Sequence, residues 1–138
     1  MSLVCLRLLR MTDAAEGRSD RRARLGRLGE EEALARYLTS GYTLVARNWR
    51  CRLGEIDLVL ARGSTLVFCE VKARRGSGFG SPHEAVGDRK QRKLRALGEA
   101  FMLVSGSRRR FTGVRFDVAS VTVDGRGRAS VYVFESAF

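Results

Sequence analysis

Residues 65–73 read Thr-Leu-Val-Phe-Cys-Glu-Val-Lys-Ala, the pattern of a β-strand that is apolar on both faces except at Glu70 and Lys72. Side chains alternate across a strand, so Leu66, Phe68, Glu70 and Lys72 share one face and Val67, Cys69, Val71 and Ala73 the other. A strand of this kind is buried on both sides, as in a sheet covered by helices. Burying its two charges costs several kcal/mol unless a partner or a metal compensates. The segment thus restricts the fold and marks two residues whose position needs a reason.

The flanking sequence supplies the covering layers. Residues 21–40 carry Leu28, Leu34, Ala35 and Leu38 at three- and four-residue intervals, with Gly41 just beyond, the signature of an amphipathic helix and its stop. Residues 42–48 and 53–61 read as strands, and Arg62-Gly63-Ser64 turns the second into the strand at 65–73 as a hairpin. A second helix starts either at Ser81, where Ser81-Pro82-His83-Glu84 has capping-box spacing, or at Asp88. Its apolar stripe is Val86, Leu94, Leu97, Phe101 and Val104. Strands at 114–123 and 129–134 flank a turn at 124–127. The predicted class is α/β, a central mixed β-sheet flanked by helices in the order α-β-β-β-α-β-β. A length of 138 residues fits one core. The expected organisation is a single domain over residues 21–138, preceded by an accessory or poorly ordered tail at residues 1–20.

Lys and Arg number 26 against 15 Asp and Glu, a net charge of +11 carried mostly by arginine, whose planar fork matches phosphate oxygens. Nucleic acid is the partner this favours over an anionic membrane surface or an acidic protein. No apolar run approaches the roughly 20 residues of a membrane helix, and the N-terminal segment lacks the unbroken apolar stretch of a secretory signal. Cys5, Cys51 and Cys69 form no CxxC pair and His83 is the sole histidine, which disfavours a disulfide scaffold, a zinc site and a histidine-based triad. A reducing cytoplasm is the expected location, with Cys69 a small buried residue.

Alternation also puts Glu55, Asp57 and Val59 on one face of residues 53–61, opposite Ile56, Leu58 and Leu60. If the hairpin brings this face beside Glu70 and Lys72, three carboxylates and one ammonium converge. Patterning leaves two readings open: a cross-strand ion pair, or an oxygen-rich site for Mg²⁺ or Mn²⁺. On the first helix, periodicity keeps both Glu30 and Glu31 as inward candidates. Lys90 falls in the second helix's stripe and Gln91 on its flank. Arg74, Arg75 and the glycine-rich residues 76–81 suit a clamp on nucleic acid, Lys90, Gln91 and Arg50 are further candidate nucleic-acid contacts, and Trp49 beside Arg50 reads as a core residue more readily than a base-stacking one. Residues 21–27 and Arg108-Arg109-Arg110 are backbone-contact patches if they face the catalytic side. Asp117 reads as structural.

Asp57, a gap, then Glu70-Val71-Lys72 on the next strand resembles the signature of the PD-(D/E)xK nuclease superfamily, which includes restriction endonucleases and archaeal Holliday junction resolvases. Gly26, Gly29-Glu30, Ala33, Tyr37-Leu38, Gly41-Tyr42, Asn48-Trp49-Arg50, Gly54 to Leu58, Phe68 to Lys72, Lys90-Gln91 and Arg115-Phe116-Asp117 together resemble the YraN-like family of predicted nucleases, over roughly residues 24–135. Ile56 stands where many superfamily members have Pro. The resemblance implies a restriction-endonuclease-like core and a Mg²⁺-dependent endonuclease acting on DNA, branched DNA included, in repair or recombination. The alternative it leaves is a nucleic-acid-binding module of that fold, with DNA or RNA as ligand and little activity. It further implies metal binding by Asp57, Glu70 and the Val71 carbonyl, and activation or orientation of water by Lys72. It selects Glu30 over Glu31 as an additional catalytic carboxylate, with Glu55 as an accessory one, and its resolvase members suggest a homodimer.

Overall fold

The computed structural model describes residues 17–76 and 80–138. The chain runs α1 (Arg18–Thr39), β1 (Thr43–Cys51), β2 (Gly54–Arg62), β3 (Thr65–Arg75), α2 (Pro82–Ala85), α3 (Asp88–Ser105), β4 (Gly113–Val123) and β5 (Ala129–Phe134), with a 3₁₀ turn at Ser107–Arg109. Residues 1–16 of the expected tail and residues 77–79 of the glycine-rich stretch lie outside the described residues. No described helix is long and apolar enough to cross a membrane.

The five strands form one sheet in the order β1-β2-β3-β4-β5. β3 is central, antiparallel to β2 and parallel to β4 along its whole length, from Thr65 opposite Gly113 to Arg75 opposite Val123. The outer pairs are antiparallel. The sheet is therefore mixed, in the expected order of elements. A parallel neighbour requires a crossover, which residues 76–112 provide with α2 and α3.

Two apolar layers explain why β3 carries so few polar residues. Against one face, Ile56, Val59, Leu66, Phe68 and Val118 pack with Leu94, Leu97 and Phe101 of α3. Phe68 stacks on Phe116 and meets Phe101 edge-on, at centroid distances of 5.4 and 5.7 Å. Against the other face, Leu58, Leu60, Val67, Cys69 and Val121 pack with Ala33 and Tyr37 of α1. Each large side chain buried in these layers contributes roughly 1.5–3 kcal/mol. α1 comes especially close because of Gly29, where a Cβ would stand only 2.6 Å from the Ala73 Cβ.

Three expectations need correction. Val104 does not join the α3 stripe but is 76% exposed, while Met102 in the same turn is buried in the core and so takes the inward position. Val86 is buried but precedes α3. Both proposed starts of the second helix are used. Ser81 and Glu84 exchange backbone-to-side-chain hydrogen bonds of 3.1 Å as a capping box around α2, and α3 begins separately at Asp88.

The third correction concerns β2. Ile56 and Val59 pack on the α3 side whereas Leu58 packs on the α1 side, so strict alternation fails between Ile56 and Leu58. β1 changes face at the same level, since Ala46 and Trp49 both pack on the α3 side. Asn48 and Asp57 fall between the registered pairs Arg47–Leu58 and Trp49–Ile56. Asn48 has φ +51°, the left-handed conformation that asparagine tolerates better than most residues. The local twist there rotates both strands together.

Candidate functional site

The twist at Asn48 places the carboxylates. Registered pairing between β2 and β3 ends at Leu58 opposite Cys69. Just beyond, Asp57 turns its side chain toward β3, where Oδ2 accepts the Val71 N–H at 2.8 Å. Ligand-type oxygens of Asp57, Glu55 and Glu30 all lie within 4.8 Å of one another. The Asn48 amide, oriented by its hydrogen-bond partners, donates to Glu30 Oε1 and Glu55 Oε1 at 2.8 Å each. Three elements thus contribute: α1 through Glu30, β1 through Asn48, and β2 through Glu55 and Asp57.

β3 supplies the other half. Glu70 is buried, with its Oε1 3.6 Å from the ammonium groups of both Lys72 and Lys90. Burial raises its carboxyl to about 7, the Asp57 charge adds to that push, and Lys90 and Lys72 oppose it. Asp57 is also raised, by burial first and by Glu55, against the Val71 hydrogen bond and the two lysines. Glu30 is raised by burial and by Asp57, and held down by Arg47 and Asn48. Burial is the first cause of all three shifts, and the neighbouring carboxylates add to it. A divalent cation would offset both. The donor group contains no sulfur or imidazole, and carboxylate oxygens of this kind fit Mg²⁺ or Mn²⁺.

Glu30 rather than Glu31 points into this cluster. Glu31 forms an exposed ion pair with Arg47 at 2.7 Å. Arg50, expected on nucleic acid, engages Glu55, Nε to Oε2 at 2.9 Å. Gln91 donates to the Val86 carbonyl at 2.9 Å and so closes the turn before α3. Arg74 and Arg75 lie exposed at the end of β3. Arg74 lines a cavity of about 220 Å³ with Lys72, Ser81 and Ser120. Trp49 is half-buried and edge-on to Phe101 at 5.3 Å, a core contact. Arg108, Arg109 and Arg110 follow the C-terminal end of α3, whose 18 residues span about 27 Å, and so lie far from Lys90 near its start.

Periodicity does not mark Asn48. Its signal in the sequence is an asparagine, a poor strand former, inside a strand next to Trp49. Asp117 is fully buried and serves structure, accepting from Tyr37 Oη at 2.7 Å, from Arg115 at 2.8 and 2.9 Å, and from the Ser136 N–H at 3.0 Å. Burial pushes the Cys69 thiol up, which leaves it protonated and unreactive. A hollow of about 640 Å³ lies between α3 and the C-terminal residues, lined by Arg95, Phe111, Phe116 and Phe138, and includes none of these carboxylates.

Residues 29–121, which hold every carboxylate and lysine of the cluster, match the family described as "Uncharacterised protein family UPF0102". The chain belongs to the UPF0102 family. UPF0102 is the YraN-like family that the sequence resembles. A UPF0102 protein of Acidothermus cellulolyticus is 47% identical over 113 residues, covering 76% of this chain and 86% of the relative. One from Rhodococcus jostii is 52% identical over 100 residues, covering 72% of this chain and 82% of the relative. One from Moorella thermoacetica is 43% identical over 118 residues, covering 85% and 97%.

Proposed function

We propose that this UPF0102 protein has a restriction-endonuclease-like fold and is a Mg²⁺- or Mn²⁺-dependent endonuclease hydrolysing DNA phosphodiester bonds. The observation that carries the reading is the convergence of the oxygens of Glu30, Glu55 and Asp57, with buried Glu70 near enough for the Asp57 charge to act on it, beside Lys72 and Lys90. In this reading Asp57 and Glu70, with the Val71 carbonyl, hold the ion, and Glu30 supplements them. When bound, such an ion neutralises charge on the phosphate and lowers the pKa of a water towards 7. The Val71 N–H fixes the Asp57 carboxylate, and the Asn48 amide fixes Glu30 against Glu55. Lys72, with a side chain 46% exposed, reaches the solvent side of Glu70, where its ammonium can hold the scissile phosphate and orient the attacking water.

A cleavage panel of linear, flapped, forked and four-way DNA with each metal tests this, with Lys72→Ala as the control against a contaminating nuclease. Metal-dependent cutting that Lys72→Ala abolishes is the expected result. Binding without cutting by the wild type would replace the hydrolase with a nucleic-acid-binding module.

A further inference from the structure

We propose that the flank of α3 bearing Arg89, Lys90 and Lys93, continued by Arg52 at the tip of the β1–β2 hairpin, seats double-stranded DNA through its phosphates. The assignment of the carboxylate cluster as the reaction centre beside that seat rests on the hydrolase reading; the seat itself does not.

Two contacts anchor the ridge, and its other members follow from their neighbours in sequence. Lys90 begins it at the site, 3.6 Å from Glu70. Lys93, three residues further along α3, lies over Gly54, where a Cβ would stand 2.9 Å from the lysine Cε and 3.3 Å from its Nζ. Gly54, at φ +143°, opens β2 directly after the exposed turn residues Arg52 and Leu53. Lacking a side chain, Gly54 lets Lys93 of α3 rest on the hairpin tip, two residues from Arg52. Arg89 stands one helical turn before Lys93, so two like charges share one side of the helix, an arrangement that is unfavourable in isolation. Neither of them, nor Arg52, pairs with a carboxylate among the described residues. Gly87, Asp88, Arg89, Lys90 and Lys93 line a hollow of about 580 Å³.

The occupant follows from what the ridge lacks. Proteins that bind single strands offer aromatic platforms on which bases stack. Among the described residues the one well-exposed aromatic ring is Tyr132, on β5 at the opposite edge of the sheet from β1. The single side-chain amide on α3, that of Gln91, is bonded to Val86. What remains is a line of cations suited to a phosphate backbone whose bases are already stacked.

The test is binding of a blunt duplex and of one of its strands, followed by fluorescence anisotropy in EDTA across a salt series so that cleavage plays no part. The Arg52→Ala, Arg89→Ala, Lys93→Ala triple variant should bind the duplex about tenfold or more weakly, with a log–log salt slope shallower by about 2 to 3. The Arg108→Ala, Arg109→Ala, Arg110→Ala variant removes the same charge at the far end of α3 and should change neither. Arg52→Lys, Arg89→Lys, Lys93→Arg should restore binding, which separates lost charge from lost folding. Equal loss in the two alanine triples, a preference for the single strand, or failure of the charge-keeping variant to bind would overturn the proposal. If the duplex pattern holds and no DNA is cut with either metal, the seat stands and the hydrolase reading falls. If cutting occurs without the pattern, the reverse follows.

Discussion

Asp57 Oδ2 accepts the backbone N–H of Val71 at 2.8 Å, across the point where β2 stops pairing with β3. One carboxylate therefore both replaces a missing ladder bond and faces the proposed cation. Asp57→Asn keeps an oxygen for Val71 and should melt close to wild type while losing metal-dependent cleavage. Asp57→Ala leaves the amide unpaired and should lose about 1–3 kcal/mol of stability as well. Urea titration of the two variants checks this, and equal stability would disprove the structural half of the role.

Glu70 makes the metal-free protein pH-sensitive. Its folded pKa, about 7, lies above the ordinary 4.5, so between those values the native state holds more protons than the unfolded chain. Stability from this group is present below about 4.5 and is lost as pH rises through 7. Thermal melts in EDTA should fall from pH 5 to pH 8 by an amount equivalent to on the order of 1–3 kcal/mol, reduced by Glu70→Gln. Mg²⁺ or Mn²⁺ should recover most of the loss at pH 8 in wild type and little in Glu70→Gln. Parallel pH curves for the two proteins would refute the assignment.

Gly29 sets the height of α1 over β3. Gly29→Ala would bring a methyl 2.6 Å from the Ala73 Cβ, so the helix has to lift. Overpacking of this kind costs about 1–3 kcal/mol. Because Glu30 is the next residue, cleavage should fall further than stability explains, and a Gly29→Ala, Ala73→Gly double variant should recover much of both. Activity that tracks stability alone would show that Glu30 needs no exact height.

Tyr37 donates to fully buried Asp117 at 2.7 Å. Tyr37→Phe removes that donor without creating a void, and should cost about 1–3 kcal/mol while leaving DNA affinity unchanged. Chemical denaturation alongside the anisotropy assay separates the two effects.

Much of this arrangement was legible because side-chain period and burial agree. β3 alternates along its length, so its apolar faces and the two charges on one of them follow from spacing alone. β2 misleads at Asp57, since a face change driven by the backbone of Asn48, on another strand, leaves no periodic trace in β2 itself. The choice between Glu30 and Glu31 depended on the pitch of α1 against the sheet, which Gly29 fixes through a contact more than 40 residues away in sequence with Ala73. Val104 fits a three-residue step from Phe101 but lies outside the buried face, which Met102 occupies in that turn. The pairing of Arg50 with Glu55 and the bonding of Gln91 to Val86 are likewise tertiary outcomes that charge and phase leave open.

The parallel pairing of β3 with β4 has a consequence for the order of assembly. Thr65 meets Gly113, so the central strand finds its second neighbour only after a loop of nearly 50 residues closes, and contacts this distant in sequence form slowly. During synthesis the β1–β2–β3 meander, carrying Asn48, Glu55, Asp57 and Glu70, emerges from the ribosome well before β4. Until residue 123 is available, β3 is an unpaired edge and Glu70 is open to water on that side. The carboxylate cluster therefore matures late, only once β4 has been made and has paired with β3.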